Sequence, residues 1–252
     1  MKNKKFTFLI PCYNCENFIY QNSVKLIKKI KKTKISYNLI FINDASTDST
    51  LQELKKIEKK FRNISIISYK KNLGKSAALQ IGLKKCKTNI VIFYDCDLPY
   101  FNYLPKLINL LLNNKQFVTI DRRSIQSKIN KSKLNFYQIA RFTISRIVNY
   151  IITTILIKNF KGDTQSGLKG FYLTAKFKKQ KFISKKFFLD AEIISFFCNE
   201  NIKITSISIK YEISRQSSIK ILNIANFIYV FELSKIILST RLIKFWRACN
   251  FS

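Results

Sequence analysis

The first hundred residues of the chain predict an α/β fold with a mostly parallel central sheet. Short apolar runs alternate with helical segments, and the connections between them are short. The apolar runs lie at 6–10, 39–42, 64–68 and 90–94, and the helical segments at 16–32, 49–61 and 76–85. The runs are continuous rather than alternating, as in strands that helices cover on both faces. Such an order of elements indicates a parallel sheet, whose ligands bind beyond the carboxyl ends of the strands.

The second half of the chain is less regular. The predicted strands lie at 117–120, near 170–173 and at 202–211, the predicted helices at 136–157 and 188–199, and a polar turn at 162–167. From about 218 to 246 the pattern is amphipathic, with basic residues set among Ile, Phe and Leu. We therefore expect a globular domain at 1–217 and an amphipathic, helical C-terminal segment at 218–252. This segment is either an ordinary helix that packs on the core or one that lies in a membrane interface.

The composition supports a folded chain with an extreme charge. Hydrophobic residues make up 47% of the 252 residues, which is enough for a sizeable core. The formal net charge is +32, and His is absent. The charge indicates either an anionic partner, such as nucleic acid, an acidic membrane or a phosphorylated substrate, or the lysine-rich usage of an AT-rich coding sequence. Because the basic residues are spread along the chain without a recognisable nucleic-acid-binding motif, nucleic acid is not the expected partner.

The cysteines and the hydropathy pattern indicate the compartment. The six cysteines suggest no disulfide framework, and Cys12 and Cys15 form one C-x-x-C pair without a second pair or a His. A structural zinc site is therefore not expected. We expect free thiols in a reducing cytoplasm. No apolar window of about 18 residues exists, so the pattern predicts no transmembrane helix.

Asp95 and Asp97 are the first candidate for a chemical site. They follow the apolar run at 90–94 and stand two positions apart, so in an extended segment both carboxylates point the same way. Carboxylate oxygens bind hard cations, and Mg²⁺ or Mn²⁺ would suit a pair that also meets a diphosphate. A lone pair of this kind is a weak signal, but its place at a strand end strengthens it.

Two further polar loops follow predicted strands. Asp44 ends the second strand and could accept hydrogen bonds from a base or ribose, although the segment 43–48 could also serve only as a helix cap. Lys75 begins the third helix after Asn72-Leu73-Gly74. It lies either near phosphates or at an ordinary capped turn with a surface lysine.

Six segments together resemble family 2 glycosyltransferases of the dolichyl- or polyprenyl-phosphate sugar synthase group. They occur in the same order along nearly the whole chain, at 10–14, 43–48, 72–77, 95–97, 163–169 and 188–192. The resemblance implies a GT-A, Rossmann-like fold that binds a nucleotide sugar of the GDP-mannose or UDP-glucose type. It also implies inverting transfer of a hexose to a polyprenyl phosphate, undecaprenyl or dolichyl. The alternative acceptors are a cell-surface glycan or another lipid.

The resemblance also implies residue roles. The donor-binding residues would be Pro11, Tyr13, Asp44, Lys75 and Asp95, and the ligands of Mg²⁺ or Mn²⁺ would be Asp95 and Asp97. The acceptor phosphate would be received by Arg122 or its neighbour Arg123, and by Arg141, Ser145 and Arg215. The residues closest to the chemistry would be Asp97, Asp163 and Arg141. The roles of Asp190 and Glu192 stay open.

The chain departs from the family pattern at three places. Pro99 stands where many relatives have Gln or Ser, and Asn43 and Ala45 replace the commoner Asp and Gly on either side of Asp44. Many relatives also have C-terminal transmembrane helices, which the hydropathy pattern does not predict here. We therefore expect a cytoplasmic enzyme that attaches peripherally to the cytoplasmic face of the membrane, where its positive charge helps it to approach a lipid phosphate.

Overall fold

A seven-stranded sheet forms the centre of the structure, a computed structural model that describes residues 4–124, 128–130, 136–157, 160–212 and 231–239. The strands in chain order are β1 (Lys5–Cys12), β2 (Ser36–Asn43), β3 (Ile64–Ser68), β4 (Ile90–Tyr94), β5 (Phe117–Asp121), β6 (Lys128–Asn130), β7 (Leu168–Tyr172), β8 (Ile204–Ser208) and β9 (Lys210–Glu212). The main sheet has the order β3-β2-β1-β4-β7-β5-β8, and β6 pairs with β9 in a small parallel sheet.

The main sheet is parallel except at β7, which runs antiparallel to both β4 and β5. The prediction of a mostly parallel α/β sheet is therefore confirmed. Alternate residues of one strand enter opposite core layers: Phe8 and Ile10 of β1 pack into one cluster of buried side chains, and Leu9 packs into the other. A strand that is buried on both faces has no polar face, which explains the continuous apolar runs.

The helices cover both faces of this sheet. In chain order they are α1 (Glu16–Lys32), α2 (Thr50–Lys60), α3 (Lys75–Lys85), α4 (Leu104–Leu112), α5 (Phe136–Ile151), α6 (Ala175–Lys179), α7 (Leu189–Asn199) and α8 (231–239). In α1 the buried Ile19, Leu26 and Ile30 recur at helical spacing, which places one apolar stripe against the core. The first three helices lie within one residue of their predicted bounds.

Several elements differ from the sequence prediction, among them α6 and β6, which were not predicted. The single strand expected at 202–211 is divided into β8 and β9, which join different sheets. The single helix expected at 136–157 is divided in two: α5 ends at Ile151, and a wider π-helical turn follows at Ile152–Leu156. Helix α4 was not predicted, although it buries Leu104, Leu107 and Leu111 on one side and has a Pro in its first turn.

Helix α8 belongs to the predicted amphipathic segment. Its Leu233 and Ile236 are buried in the second core cluster, whereas Phe231 and Leu238 are 61% and 60% exposed. This part of the segment therefore packs its inner face on the domain and presents apolar side chains outward. The rest of 218–252 lies outside the described residues. In the part of the chain that the structure describes, no helix is both long and apolar enough to cross a membrane.

Candidate active site

The loops that follow β1, β2 and β4 meet at one edge of the sheet. These strands are parallel neighbours, so their carboxyl ends all point to this edge. Asp95 follows β4, Asp44 follows β2, and the chain leaves β1 through the partly buried Pro11 and the exposed Tyr13. The sequence prediction that these loops share one edge is therefore confirmed by the topology.

Lys75 and Asp95 form an ion pair at this edge. The Nζ atom of Lys75 lies 2.6 Å from Oδ1 of Asp95. Burial alone would lower the pKa of Lys75, but Asp95, Asp190 and Asp97 together raise it above its usual value. Lys75 therefore stays protonated beside a group of carboxylates, and the alternative of an ordinary surface lysine does not fit its position.

A glycine allows a second loop to approach Asp95 closely. The amide of Asp95 donates to the carbonyl oxygen of Gly167 at 3.0 Å. A Cβ atom at position 167 would lie 2.5 Å from Oδ2 of Asp95 and 2.8 Å from Cγ of Pro99. The close contact requires Gly, and it leaves Asp95 half-buried beside the exposed Asp97. Two carboxylates held in this way fit Mg²⁺ or Mn²⁺, which prefer oxygen ligands and keep several waters.

Asp44 fixes the turn that begins α3. Its two carboxylate oxygens accept hydrogen bonds from the amides of Leu73 and Gly74 at 2.7 and 2.8 Å. Gly74 has a φ of 97°, a backbone conformation that side chains rarely adopt. A carboxylate has about four acceptor positions, so Asp44 retains capacity for a ligand donor while it holds this turn. This turn positions Lys75, which is the first residue of α3.

The unusual neighbours of Asp44 are accommodated locally. Asn43 is buried, donates from Nδ2 to Oγ of Ser68 at 3.0 Å, and accepts the amide of Ser46 at 3.3 Å. Ala45 has a φ of 55°, which explains why Gly is common at this position in relatives. Asn43 thus holds the loop through two hydrogen bonds.

A buried ion pair lies behind Lys75 and Asp95. Lys169 on β7 is 1% exposed, and its Nζ atom lies 2.8 Å from Oδ2 of the buried Asp190 on α7. Burial lowers the pKa of Lys169, and Asp190 opposes that shift. The sequence reasoning assigned no role to Lys169. A lysine inside the apolar run Leu168–Tyr172 was the available signal, because a charge is rarely buried without a partner.

A second polar cluster joins the end of β5 to the loop before β7. The fully buried Asp163 pairs with Nε of Arg122 and lies 2.9 Å from Nη1 of Arg123. Arg123 also donates from Nη2 to Oγ and to the carbonyl oxygen of Ser145 on α5, at 2.9 and 2.7 Å. Burial would raise the pKa of Asp163, but the two arginines lower it to about 2. Asp163 therefore orients two arginines.

The structure brings together some of the predicted acceptor residues and not others. Arg122, Asp163 and Ser145 are in one cluster, and Arg123 joins them more extensively than the sequence indicated. Arg141 lies on α5, but its side chain is outside the described part of the structure, as is the whole of Arg215. Glu192 accepts the amides of Ile183 and Ser184 at 2.9 and 2.8 Å, so it holds a loop.

Comparison with known families identifies this arrangement. Residues 7–168, which contain the loops around Asp44, Lys75, Asp95 and Asp163, match the sequence model of glycosyl transferase family 2. The chain belongs to glycosyltransferase family 2. The resemblance to family 2 glycosyltransferases that the sequence segments indicated is therefore confirmed.

Curated relatives of this family 2 glycosyltransferase share part of their length with it. CsbB of Bacillus subtilis (strain 168), whose naming as a glycosyltransferase is itself provisional, is 36% identical over 111 residues, 42% of this chain and 32% of CsbB. A dolichyl-phosphate beta-glucosyltransferase of Trichomonas vaginalis is 25% identical over 231 residues, 85% of this chain and 68% of that protein. The aligned part thus spans about a third of the length of CsbB.

Solved structures confirm the fold. Glucosyl-3-phosphoglycerate synthase from Mycobacterium tuberculosis, in complex with Mn²⁺ and UDP-glucose, has a TM-score of 0.62 at 17% identity and covers 94% of this chain and 79% of its own. The same enzyme with Mn²⁺, UDP-glucose and phosphoglyceric acid gives a TM-score of 0.63 at 15% identity, with 95% and 79% covered. The family 2 chain therefore has the GT-A fold that the sequence resemblance implied.

Proposed function

We propose that this glycosyltransferase moves a hexose from a nucleotide sugar to a polyprenyl phosphate. The observation that carries the proposal is the bond from Arg123 to Ser145, which places a guanidinium and a hydroxyl together at the sheet edge that also holds Asp95. A guanidinium fork matches phosphate oxygens, and a hydroxyl adds a donor. Relatives named as dolichyl-phosphate beta-glucosyltransferases support the same acceptor chemistry.

The donor side of the site binds the nucleotide diphosphate. Asp95 and Asp97 would hold Mg²⁺ or Mn²⁺, and such a cation would supply positive charge opposite the leaving diphosphate. Lys75 adds a permanent positive charge because its pKa is raised by its carboxylate neighbours. Asp44 binds the base through its remaining acceptor positions, while Pro11 and Tyr13 line the nucleotide pocket. Glucose and mannose are the favoured sugars.

The acceptor side is positively charged and held rigidly. Three arginines face two carboxylates here, so the cluster has one net positive charge. The arginines are Arg122, Arg123 and Arg146, and the carboxylates are those of Asp163 and Asp121. Since Asp163 fixes both Arg122 and Arg123, their donors are already oriented before a phosphate arrives. Such pre-organisation avoids the loss of side-chain freedom on binding. Arg141 and Arg215 complete this side in the proposal.

Helix α5, which contributes Ser145 to this cluster, also has exposed apolar side chains. Ile144, Ile147 and Tyr150 are 45%, 54% and 70% exposed, and Ser145 lies on the same helix. Their spacing places them within an arc of about 120° on the helix, and Ser145 lies outside that arc. A helix that has exposed apolar side chains and also contributes to a phosphate site suits an acceptor with a phosphate head and a hydrocarbon chain. This surface is the reason to favour a lipid acceptor over a small soluble one.

The chemistry needs alignment more than proton removal. A phosphate oxygen of the acceptor forms a bond to the anomeric carbon, and the bond from that carbon to the diphosphate oxygen breaks with inversion. The attacking phosphate is already anionic near neutral pH, so no strong base is required. The two phosphate groups repel each other, and the arginine cluster and Lys75 offset that repulsion while they fix the geometry. Catalysis is therefore mainly electrostatic positioning.

The same proposal places the enzyme on the cytoplasmic face of the membrane. The net charge of +32 attracts it to anionic lipids. The outward apolar residues Phe231 and Leu238 of α8 add a surface that can contact the interface. Peripheral attachment would bring the acceptor cluster to a lipid phosphate.

A reconstituted transfer assay tests the proposal. Liposomes that contain a polyprenyl phosphate are incubated with the protein, Mn²⁺ or Mg²⁺, and radiolabelled UDP-glucose or GDP-mannose. Butanol-extractable label is expected with one donor, and the Asp97→Asn variant should produce none. Glu58→Gln, which changes an exposed carboxylate on α2, is the matched control and should retain activity. Full activity of Asp97→Asn would contradict the metal assignment.

The other acceptors give different products in the same assay. The structurally similar synthase is crystallised with phosphoglyceric acid, and an arginine cluster also suits a small phosphorylated acid. Label in a water-soluble product, formed without liposomes, would favour that acceptor, and label in a polysaccharide would favour a cell-surface glycan. Tight binding to RNA or DNA that weakens steeply with salt, without transfer, would instead favour a nucleic-acid-binding protein.

A further inference from the structure

Three cysteine side chains converge beneath the Asp95–Asp97 loop. Cys12 ends β1, Cys15 directly precedes α1, and Cys96 lies between the two carboxylates. Their sulfur atoms all lie within 4.8 Å of one another. Cys12 and Cys15 form a single C-x-x-C pair in the sequence, and the fold adds the thiol of Cys96 from a distant segment.

The spacing of these sulfurs suits one soft cation. A Zn–S bond is about 2.3 Å, so sulfurs around one ion are about 4 Å apart in trigonal or tetrahedral geometry. Small side-chain rotations would therefore bring the three sulfurs to coordinating distance. A disulfide would use only two of the three and leave the third unpaired. The convergence of all three on one point is the feature that a metal explains and a disulfide does not.

The surroundings of Cys15 favour its sulfur as an acceptor, whereas Sγ of Cys12 donates to the carbonyl oxygen of Ile10 at 3.5 Å. Cys12 and Cys15 are 1% and 2% exposed, whereas Cys96 is partly exposed and offers an entry path. The hydroxyl of Thr50 donates to Sγ of Cys15 at 3.7 Å, and the amide of Cys15 donates to the same hydroxyl oxygen at 2.8 Å. The N-terminus of the 17-residue α1 lies beside Cys15 and stabilises negative charge. Hydrogen bonds of this kind orient ligands in metal sites.

We propose that Cys12, Cys15 and Cys96 bind one thiophilic cation of the Cu⁺ or Zn²⁺ class. Coordination converts three thiols to thiolates and releases three protons to solvent, with no electron transfer. This site is separate from the carboxylate site, because soft thiolates select Cu⁺ and Zn²⁺ whereas carboxylates select Mg²⁺ and Mn²⁺. The proposal does not depend on the nature of the sugar acceptor.

An occupied thiol site would stiffen the loop that bears the carboxylates. Cys96 is bonded on both sides to Asp95 and Asp97, and its carbonyl oxygen already accepts a hydrogen bond from Nδ2 of Asn22 on α1 at 3.1 Å. A metal shared with Cys12 and Cys15 would tie this loop to β1 and α1 as well. Site occupancy would thus influence the position of both carboxylates.

Cadmium titration under reducing conditions tests the site directly. Cd²⁺ bound to thiolates gives an ultraviolet charge-transfer band that oxygen ligands do not give. We expect the folded full-length protein to bind one Cd²⁺ with this band, and excess Mg²⁺ not to displace it. Cys12→Ser, Cys15→Ser and Cys96→Ser should each lose stoichiometric binding. Cys86→Ser and Cys198→Ser change free thiols outside the cluster and should retain it.

Two further measurements keep the result clear if a variant fails to fold. Far-ultraviolet circular dichroism identifies such a variant, and X-ray absorption of the wild-type protein loaded with Zn²⁺ should show three sulfur neighbours without any substitution. Failure of the folded protein to take up Cd²⁺, whether its thiols are free or paired, would overturn the proposal. So would a band of full intensity in a folded Cys12→Ser or Cys15→Ser variant.

Discussion

The Nζ atom of Lys75 lies 2.6 Å from Oδ1 of Asp95 and so joins the start of α3 to the end of β4. Asp44 stabilises this contact from a third segment, since its carboxylate fixes the turn that ends at Gly74. Three loops that are distant in sequence are thereby held in one arrangement. The positive charge of Lys75 is placed where the donor diphosphate is proposed to bind.

Replacing Lys75 by Met should reduce transfer strongly. The substitution keeps an unbranched side chain that is one atom shorter and removes the charge, so kcat/KM for the nucleotide sugar should fall about 10²–10³-fold, as for other single electrostatic donors in active sites. Because the pKa of Lys75 is raised, its charge persists into alkaline solution and the loss should not be reproduced by a modest rise in pH. Steady-state kinetics provide the measurement.

Lys84→Met is the matched control for this substitution. Lys84 is exposed near the end of the same helix, so its loss should leave kcat/KM close to the wild-type value. Unchanged kinetics in Lys75→Met would show that the ion pair serves only the fold.

Replacing Asp163 by Asn should destabilise the domain. The buried carboxylate holds both Arg122 and Arg123, and breaking a buried ion pair from one side costs about 3–5 kcal/mol. The free energy of unfolding in urea at about pH 7 gives the measurement. Glu53→Gln, in the exposed Glu53–Lys56 pair, should change it by less than about 0.5 kcal/mol.

The contribution of Asp163 to the free energy of unfolding should also depend on pH. Its folded-state pKa of about 2 lies below the unfolded value of about 3.9, so its stabilisation is complete above the unfolded pKa and is lost as pH falls through the folded one. The stability difference between wild type and Asp163→Asn should therefore narrow from about pH 4 towards about pH 2. A difference that stays constant over this range would exclude the ion pair as its source.

The strands and their polar ends could be predicted because their signals are local. A run such as Ile90–Tyr94 is apolar at every position, which identifies a doubly covered strand, and the carboxylates of Asp95 and Asp97 follow at once. Parallel strands then bring such loops to one edge without further information. The edge of the sheet where these loops meet could be predicted from the sequence for this reason.

The contacts between distant segments could not be predicted in the same way. Hydropathy gives no strand order, so nothing indicated that the antiparallel β7 would lie between β4 and β5. That insertion places Gly167 against Asp95 and buries Lys169 beside Asp190. The convergence of Cys96 on Cys12 and Cys15 likewise depends on the pairing of β1 with β4. Such contacts follow from topology rather than from periodicity.

Replacing Arg123 by Lys should weaken binding of the acceptor more than binding of the donor. Lys keeps the charge but loses the planar fork that reaches Asp163 and Ser145 together. Charged hydrogen bonds contribute about 1.5–3 kcal/mol, so KM for the phosphate acceptor should rise about 10- to 100-fold. Initial rates with each substrate varied in turn separate the two KM values.

Arg62→Lys, at an exposed position before β3, controls for the general effect of this exchange and should leave both KM values unchanged. A larger change in the donor KM than in the acceptor KM would place Arg123 on the wrong side of the proposed site.

Glu232 connects helix α8 to the start of α3, where the donor is proposed to bind. Its carboxylate accepts the amides of Lys185 and Lys186 at 2.6 Å each and of Phe187 at 3.0 Å. The carbonyl oxygens of Lys185 and Lys186 in turn accept the amides of Ala77 and Ser76, which directly follow Lys75 in α3. One buried carboxylate thus holds the loop that supports the first turn of α3.

Replacing Glu232 by Gln should therefore loosen this loop first and the first turn of α3 next. The neutral amide oxygen is a weaker acceptor and cannot bind three amides, which should cost about 1.5–3 kcal/mol locally. Hydrogen–deuterium exchange with mass spectrometry should show faster exchange at 185–187 and at Ser76 and Ala77, with β1 and β4 unchanged. Glu200→Gln, in the exposed pair with Lys176, should alter none of these amides. Uniformly faster exchange through the sheet would instead indicate that α8 stabilises the whole domain rather than this loop, since a local lock affects only the amides that depend on it.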